Sequence, residues 1–137
     1  MILIVCVDDD GGMAFNGRRQ SRDRFLCDRI LNKTFGGRLR ISPFSASLFR
    51  EYSANWIEVD ENWLENAGEG EFCFVENVDP APYEERCEKI MVYRWNRKYP
   101  ADVFFGIRLK RGGWKMDSSV DFAGYSHEKI TEEIFVK

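Results

Sequence analysis

Apolar and polar positions along this chain switch between a period of two and a period near four. Residues 2–7 are an unbroken apolar, β-branched run, which predicts a central strand covered on both faces. Asp8, Asp9 and Asp10 followed by Gly11-Gly12 are turn chemistry. Residues 13–20 have no clean period and include Asn16-Gly17, so they read as a long loop. Ser21 is placed as the N-cap of a helix over residues 22–31, with Phe25, Leu26, Ile30 and Leu31 on its apolar side. Residues 38–41 read as a short strand, and Ser42-Pro43 starts a helical turn whose apolar stripe is Phe44, Leu48 and Phe49.

Residues 55–59 alternate as a strand, and Asp60 caps a short helix over residues 61–66. A buried strand is expected at 72–75, a helical turn from Asp79 to about Cys87, and a long strand at 89–95. Further strands are expected at 103–105, 114–118 and 131–136. Alternating β and α units followed by an all-strand tail predict an α/β fold. It has one twisted mixed sheet, with a mostly parallel body, antiparallel C-terminal strands and helices on both faces. No repeat, linker or low-complexity segment interrupts the chain, so residues 1–137 are expected to form a single domain.

Composition adjusts this picture only slightly. A hydrophobic content of 44% supports a packed core rather than disorder, and eleven Phe and four Trp make that core aromatic. With 20 basic and 23 acidic residues the net charge is −3, so no global field favours DNA or an anionic membrane. No apolar run approaches the roughly 20 residues that cross a bilayer. Cys6, Cys27, Cys73 and Cys87 lack Cys-x-x-Cys spacing and read as buried, reduced thiols. The expected location is cytoplasmic.

The C-terminal third carries Asp102-Val103-Phe104-Phe105, a short loop and then Trp114 at the head of a strand. Together with the apolar first strand running into Asp8, the buried strand Glu71-Phe72-Cys73-Phe74-Val75 and the strand Glu88-Lys89-Ile90-Met91-Val92, this resembles the dihydrofolate reductases nearly end to end. The resemblance implies that fold. It also implies that Asp23, in Ser21-Arg22-Asp23-Arg24, corresponds to the family's catalytic carboxylate at the opening of its first long helix.

Departures from the family pattern bear on chemistry. Where the family has paired glycines that admit the cofactor pyrophosphate, this chain has Glu76-Asn77. A like charge at about 4 Å costs on the order of 4 kcal/mol at a near-surface dielectric. That is the whole of a millimolar affinity, about 4 kcal/mol. Where the family has Gly-Arg-x-Thr to grip the NADPH adenosine phosphate, this chain has Ser42-Pro43-Phe44-Ser45; Ser45 keeps a hydroxyl but the Arg is gone. The stretch from Phe49 to Trp56 is too short for the extra strand whose Arg clamps folate, and the family's pterin-side Thr corresponds to Tyr93 or Arg94. Arg18 or Arg19 stands near the place of the family's loop Trp.

Asp23 is the one residue with an expected catalytic role, orienting a protonated heterocycle. The simpler reading, an exposed carboxylate complementing the helix dipole, is favoured by the flanking Arg22 and Arg24. Arg18, Arg19 and Arg22 are candidates to grip a phosphate or carboxylate, or to contact RNA, although a solvated face is the blander account. Residues 93–99 interleave aromatics and cations as a base-stacking platform would, but strand alternation favours core packing. The only histidine, His127, sits beside Glu128 and Lys129 and is expected in a surface loop with an incidental role. No metal site is expected; Asp8 to Asp10 read as a turn rather than a Mg²⁺ site.

The leading expectation is therefore a reductase-fold protein without hydride transfer, with NADPH disfavoured as cofactor. It would bind a small molecule or a protein partner in a cleft beside Asp23. The alternatives are an NAD(P)H-dependent reductase of a pterin-like substrate with altered cofactor binding, and an RNA-associated module or nuclease.

Overall fold

The computed structural model describes all residues, 1–137. Its main sheet has seven strands in the order β5-β4-β6-β1-β7-β10-β9. These are β1 (Ile2–Val7), β4 (Leu39–Ile41), β5 (Ile57–Val59), β6 (Phe72–Val75), β7 (Lys89–Arg94), β9 (Lys115–Phe122) and β10 (Ile130–Val136). The first five run parallel, and β10 lies antiparallel between β7 and β9. The α/β class, the parallel body and the antiparallel tail agree with the sequence pattern.

Strand β1 shows why its run is apolar throughout. Leu3, Val5 and Val7 enter a core shared with Trp63, Leu64 and Cys87, whereas Ile4 enters the opposite core with Leu26, Ile30 and Tyr93. Pleating sends alternate residues to opposite faces, and both faces are covered. Helix α1 (Arg24–Thr34) covers the second face, while α3 (Trp63–Asn66) and a 3₁₀ turn at Ala81–Arg86 cover the first. The short α2 (Pro43–Ala46) follows β4, with Ser42 as its N-cap.

Three local expectations are corrected. Residues 13–20 are not an open loop: β2 (Gly12–Phe15) and β3 (Arg18–Arg19) form a hairpin. Its turn is Asn16-Gly17, both at positive φ (51° and 72°) as a two-residue hairpin requires. Strand β8 (Val103–Phe104) pairs with β2 in this small second sheet rather than joining the main antiparallel edge. Helix α1 starts two residues later than expected, because Asp23 and not Ser21 is its N-cap, accepting from the N–H groups of Phe25 and Leu26. Its buried face is Leu26, Cys27, Ile30, Leu31 and Thr34. Phe25 is 44% exposed and meets Tyr125 edge-on instead. All four cysteines are free, and no helix is long and apolar enough to cross a membrane.

Candidate functional site

The carboxyl ends of the parallel strands β1, β4, β6 and β7 open toward α1 and the β2–β3 hairpin. In open α/β sheets such an edge is where ligands sit. Here it carries two polar clusters around one small cavity.

The first cluster lies at the ends of β4 and β6. Glu76, the residue after β6, is 8% exposed. Arg19 of β3 reaches it with a two-pronged contact, Nε to Oε2 at 2.9 Å and Nη2 to Oε1 at 3.1 Å. Ser45 Oγ donates to Glu76 Oε1 at 2.8 Å. Arg19 Nη2 also donates to the Phe44 carbonyl at 3.2 Å, and its guanidinium lies over the Phe44 ring. Fork-to-carboxylate geometry of this kind is strong and directional. The sequence singled out Arg19, Ser45 and Glu76 on separate grounds, and the fold brings all three together. Arg19 offsets the charge of Glu76, so the repulsion of a phosphate expected from Glu76 is reduced. Asn77 is half-buried, and its Oδ1 is buried with no hydrogen-bond partner.

The second cluster corrects the expectation of an exposed Asp23. It is 3% exposed, and its carboxylate accepts from six donors. These are the N–H groups of Phe25, Leu26, Tyr125 and Ser126, the Ser126 hydroxyl, and His127 Nδ1 at 2.8 Å. Burial pushes this carboxyl's pKa up, but the Tyr125 N–H, the His127 ring and the Ser126 and Leu26 N–H groups outweigh it and hold it well below the usual carboxylate range. Close approach is secured by Gly124, where a Cβ would stand 2.7 Å from Asp23 Oδ2 and 2.8 Å from the His127 carbonyl. His127 is not in an exposed position either: it is 3% exposed and stacked on Trp95, with ring centroids 4.6 Å apart. Its Nε2 meets Tyr99 Oη at 3.0 Å and Ser21 Oγ at 3.1 Å. Sequence reasoning missed this partnership because Asp23 and His127 are 104 positions apart and neighbouring Glu128 and Lys129 suggested solvent. Ser21, read as a cap, spends its hydroxyl on His127.

Between the clusters lies a cavity of about 20 Å³, lined mainly by Cys6, Leu26, Cys27, Phe74 and Trp95, with Ser21, Asp23 and Glu76 also on its wall. That is room for roughly one water. Pockets that enclose an organic ligand run to about 300–1,000 Å³. Arg22 is exposed but lies on the cavity's rim, whereas Arg18 is exposed and does not line it. Tyr93 and Trp95 are buried and Arg94 is paired with Glu133 at 2.6 Å, so the 93–95 part of this stretch is core packing. At the end of β1, Asp8 accepts from the N–H groups of Asp10 and Gly12 and from Gln20 Nε2. It folds a turn, and no group of three or more acidic, His or Cys side chains is gathered for a metal.

No protein-family model matches this chain, and no curated protein sequence matches it. Among solved structures it is similar to a dihydrofolate reductase from Enterococcus faecalis, determined in complex with NADP(H) and RAB-propyl. The TM-score is 0.68 at 14% identity, over 98% of this chain and 94% of that one. The chain therefore has the dihydrofolate reductase-like fold, with a sequence far diverged from that neighbour.

Proposed function

We propose that this chain is a dihydrofolate reductase-fold protein that has given up hydride transfer and keeps its strand-end cleft for binding. The observation that carries this reading is the Arg19–Glu76–Ser45 cluster. In the neighbouring reductase the bound cofactor is NADP(H). By the sequence correspondence, a dinucleotide's phosphates would lie against the end of β6 and the start of α2. Here a protein carboxylate occupies that place and takes the guanidinium and hydroxyl that a phosphate would use. Asp23, the counterpart of the reductase carboxylate, has its oxygens engaged by six donors and no free face for a pterin.

A ligand entering this cleft must displace Glu76 from Arg19 and Ser45. The ligand class that does so is a small anion-bearing molecule, since a carboxylate or phosphate restores the two-pronged contact. Isothermal titration of the full chain with NADPH, NADH and folate tests the loss of reductase chemistry. No heat of binding up to millimolar ligand is expected, together with no NADPH oxidation across pterins and flavins. Micromolar NADPH binding would overturn the reading.

A further inference from the structure

The second cluster has an arrangement that hydride transfer does not require. We propose that Ser21, His127 and Asp23 form an acyl-transfer site, with Ser21 as nucleophile, His127 as general base and Asp23 as the residue that positions the imidazole. The chain of contacts is Ser21 Oγ to His127 Nε2 at 3.1 Å and His127 Nδ1 to Asp23 Oδ2 at 2.8 Å. Both lie within the reach that nucleophile–base and base–orienter pairs need. Geometry and role identify such a triad, independent of fold or order in the chain.

The surroundings supply what the chemistry asks for. Asp23 is buried and held as the carboxylate by backbone N–H groups, so Nδ1 carries the proton and Nε2 presents its lone pair. Stacking on Trp95 fixes the ring plane. The backbone N–H groups of Ser21 and Arg22 donate to no protein acceptor, which leaves them available to an oxyanion. Gln20 Oε1 is buried without a donor and lines the same cavity as Ser21, where it is an acceptor for one water.

In the first step the Ser21 oxygen bonds to the ester carbonyl carbon while its proton passes to His127 Nε2. The tetrahedral adduct then expels the alcohol, which leaves with that proton. Water, deprotonated by the same nitrogen, attacks the acyl-serine, releases the carboxylic acid and returns Ser21. The cavity on the Ser21 wall holds about one water, so it excludes acyl chains longer than acetyl. The leaving group lies toward the outer groove of about 250 Å³ lined by Phe15, Arg18, Tyr99 and Pro100. The substrate class is a short-chain acyl ester.

Tyr99 Oη competes with Ser21 for Nε2, at 3.0 Å, and lies 3.4 Å from Ser21 Oγ. A neutral imidazole accepts one of these hydroxyls at a time, so Tyr99 restrains the nucleophile rather than serving it.

The test is labelling of the full chain with a fluorophosphonate, located by mass spectrometry, alongside hydrolysis of 4-nitrophenyl acetate and butyrate. Expected results are a label on Ser21 and a burst of one nitrophenolate per chain, with acetate turned over at least tenfold faster than butyrate. Ser21→Ala removes a half-exposed hydroxyl and keeps the fold by circular dichroism. It should abolish the label and lower kcat at least 100-fold. Asp23→Asn can keep one oxygen accepting from the Phe25, Leu26 and Tyr125 N–H groups but presents an amide donor to His127 Nδ1 and Ser126. In the folded variant kcat should fall by about 10³-fold with KM unchanged, as loss of the correct tautomer does. Tyr99→Phe removes the hydroxyl that competes for Nε2 and should speed acylation. A label elsewhere, hydrolysis that survives Ser21→Ala, or acylation that fails to rise in a folded Tyr99→Phe would each overturn the assignment. None of these results depends on NADPH binding, so failure here and failure of the binding reading are distinguishable.

Discussion

At the scale of single residues, Arg19 and Glu76 depend on each other. Each is largely withdrawn from water, with side-chain exposures of 20% and 8%. A buried pair of this kind adds little beyond well-packed apolar side chains, but removing one partner strands the other charge. Arg19→Met should therefore destabilise the protein by about 2–3 kcal/mol, because Glu76 keeps only the Ser45 hydroxyl. Combining it with Glu76→Leu should restore most of that loss. Urea unfolding of the two variants measures both numbers. A single Arg19→Met variant within about 0.5 kcal/mol of the parent, the range of an ordinary surface change, would mean that the pair does not hold the cleft shut.

At the scale of elements, the β2–β3 hairpin carries Arg19 to Glu76 and leads directly into Ser21, so its turn governs both clusters. Gly17 has φ of +72° with open space where a Cβ would stand. Gly17→Ala thus introduces backbone strain alone, about 1–2 kcal/mol, at the hairpin tip. Amide hydrogen exchange should quicken at Ala14 and Arg19 while β1 and β7 keep their protection; uniform quickening would show that the hairpin does not open separately. This hairpin also marks how far the sequence can be read. Long elements such as β1, β7 and α1 announce themselves through period and apolar content. A two-residue strand such as β3 cannot show alternation, and Asn16-Gly17 signals a hairpin only if its flanks are recognised as strands. The Arg19–Glu76–Ser45 cluster was half legible, since each member stood out as a departure from the reductase pattern. The Ser21–His127–Asp23 contact was not, because nothing local in residues 125–129 records that they fold over the start of α1.

At the scale of the whole molecule, buried carboxylates and buried neutral acids set the pH range of stability from opposite sides. Glu132 is 1% exposed and is held by Arg29 at 2.8 and 3.1 Å and by the Tyr93 hydroxyl at 2.8 Å. Burial pushes its pKa up, but the Arg29 and Tyr93 contacts prevail and hold it below the ordinary value, as Asp23 is held below its own. For such groups the folded pKa lies under the unfolded one. Their stabilisation is complete above the unfolded values of about 4 and is lost as pH falls through the folded pKa. The thiols and phenols act in reverse. Burial raises Cys27 to about 11, Cys73 to about 12 and Tyr52 to about 12. Their contribution is complete below the unfolded values of about 8.5–10 and is lost as pH rises through the folded pKa. The urea midpoint should accordingly form a plateau from about pH 5 to pH 8, falling on both sides. On that plateau the four thiols should react with Ellman's reagent only after unfolding, since the protonated sulfur is a poor nucleophile. A midpoint that climbs steadily from pH 5 to pH 10 would contradict the alkaline arm. One thiol reacting rapidly in the folded protein would single out Cys6, the half-buried one on the cavity wall, and would mean that the cleft opens to solvent.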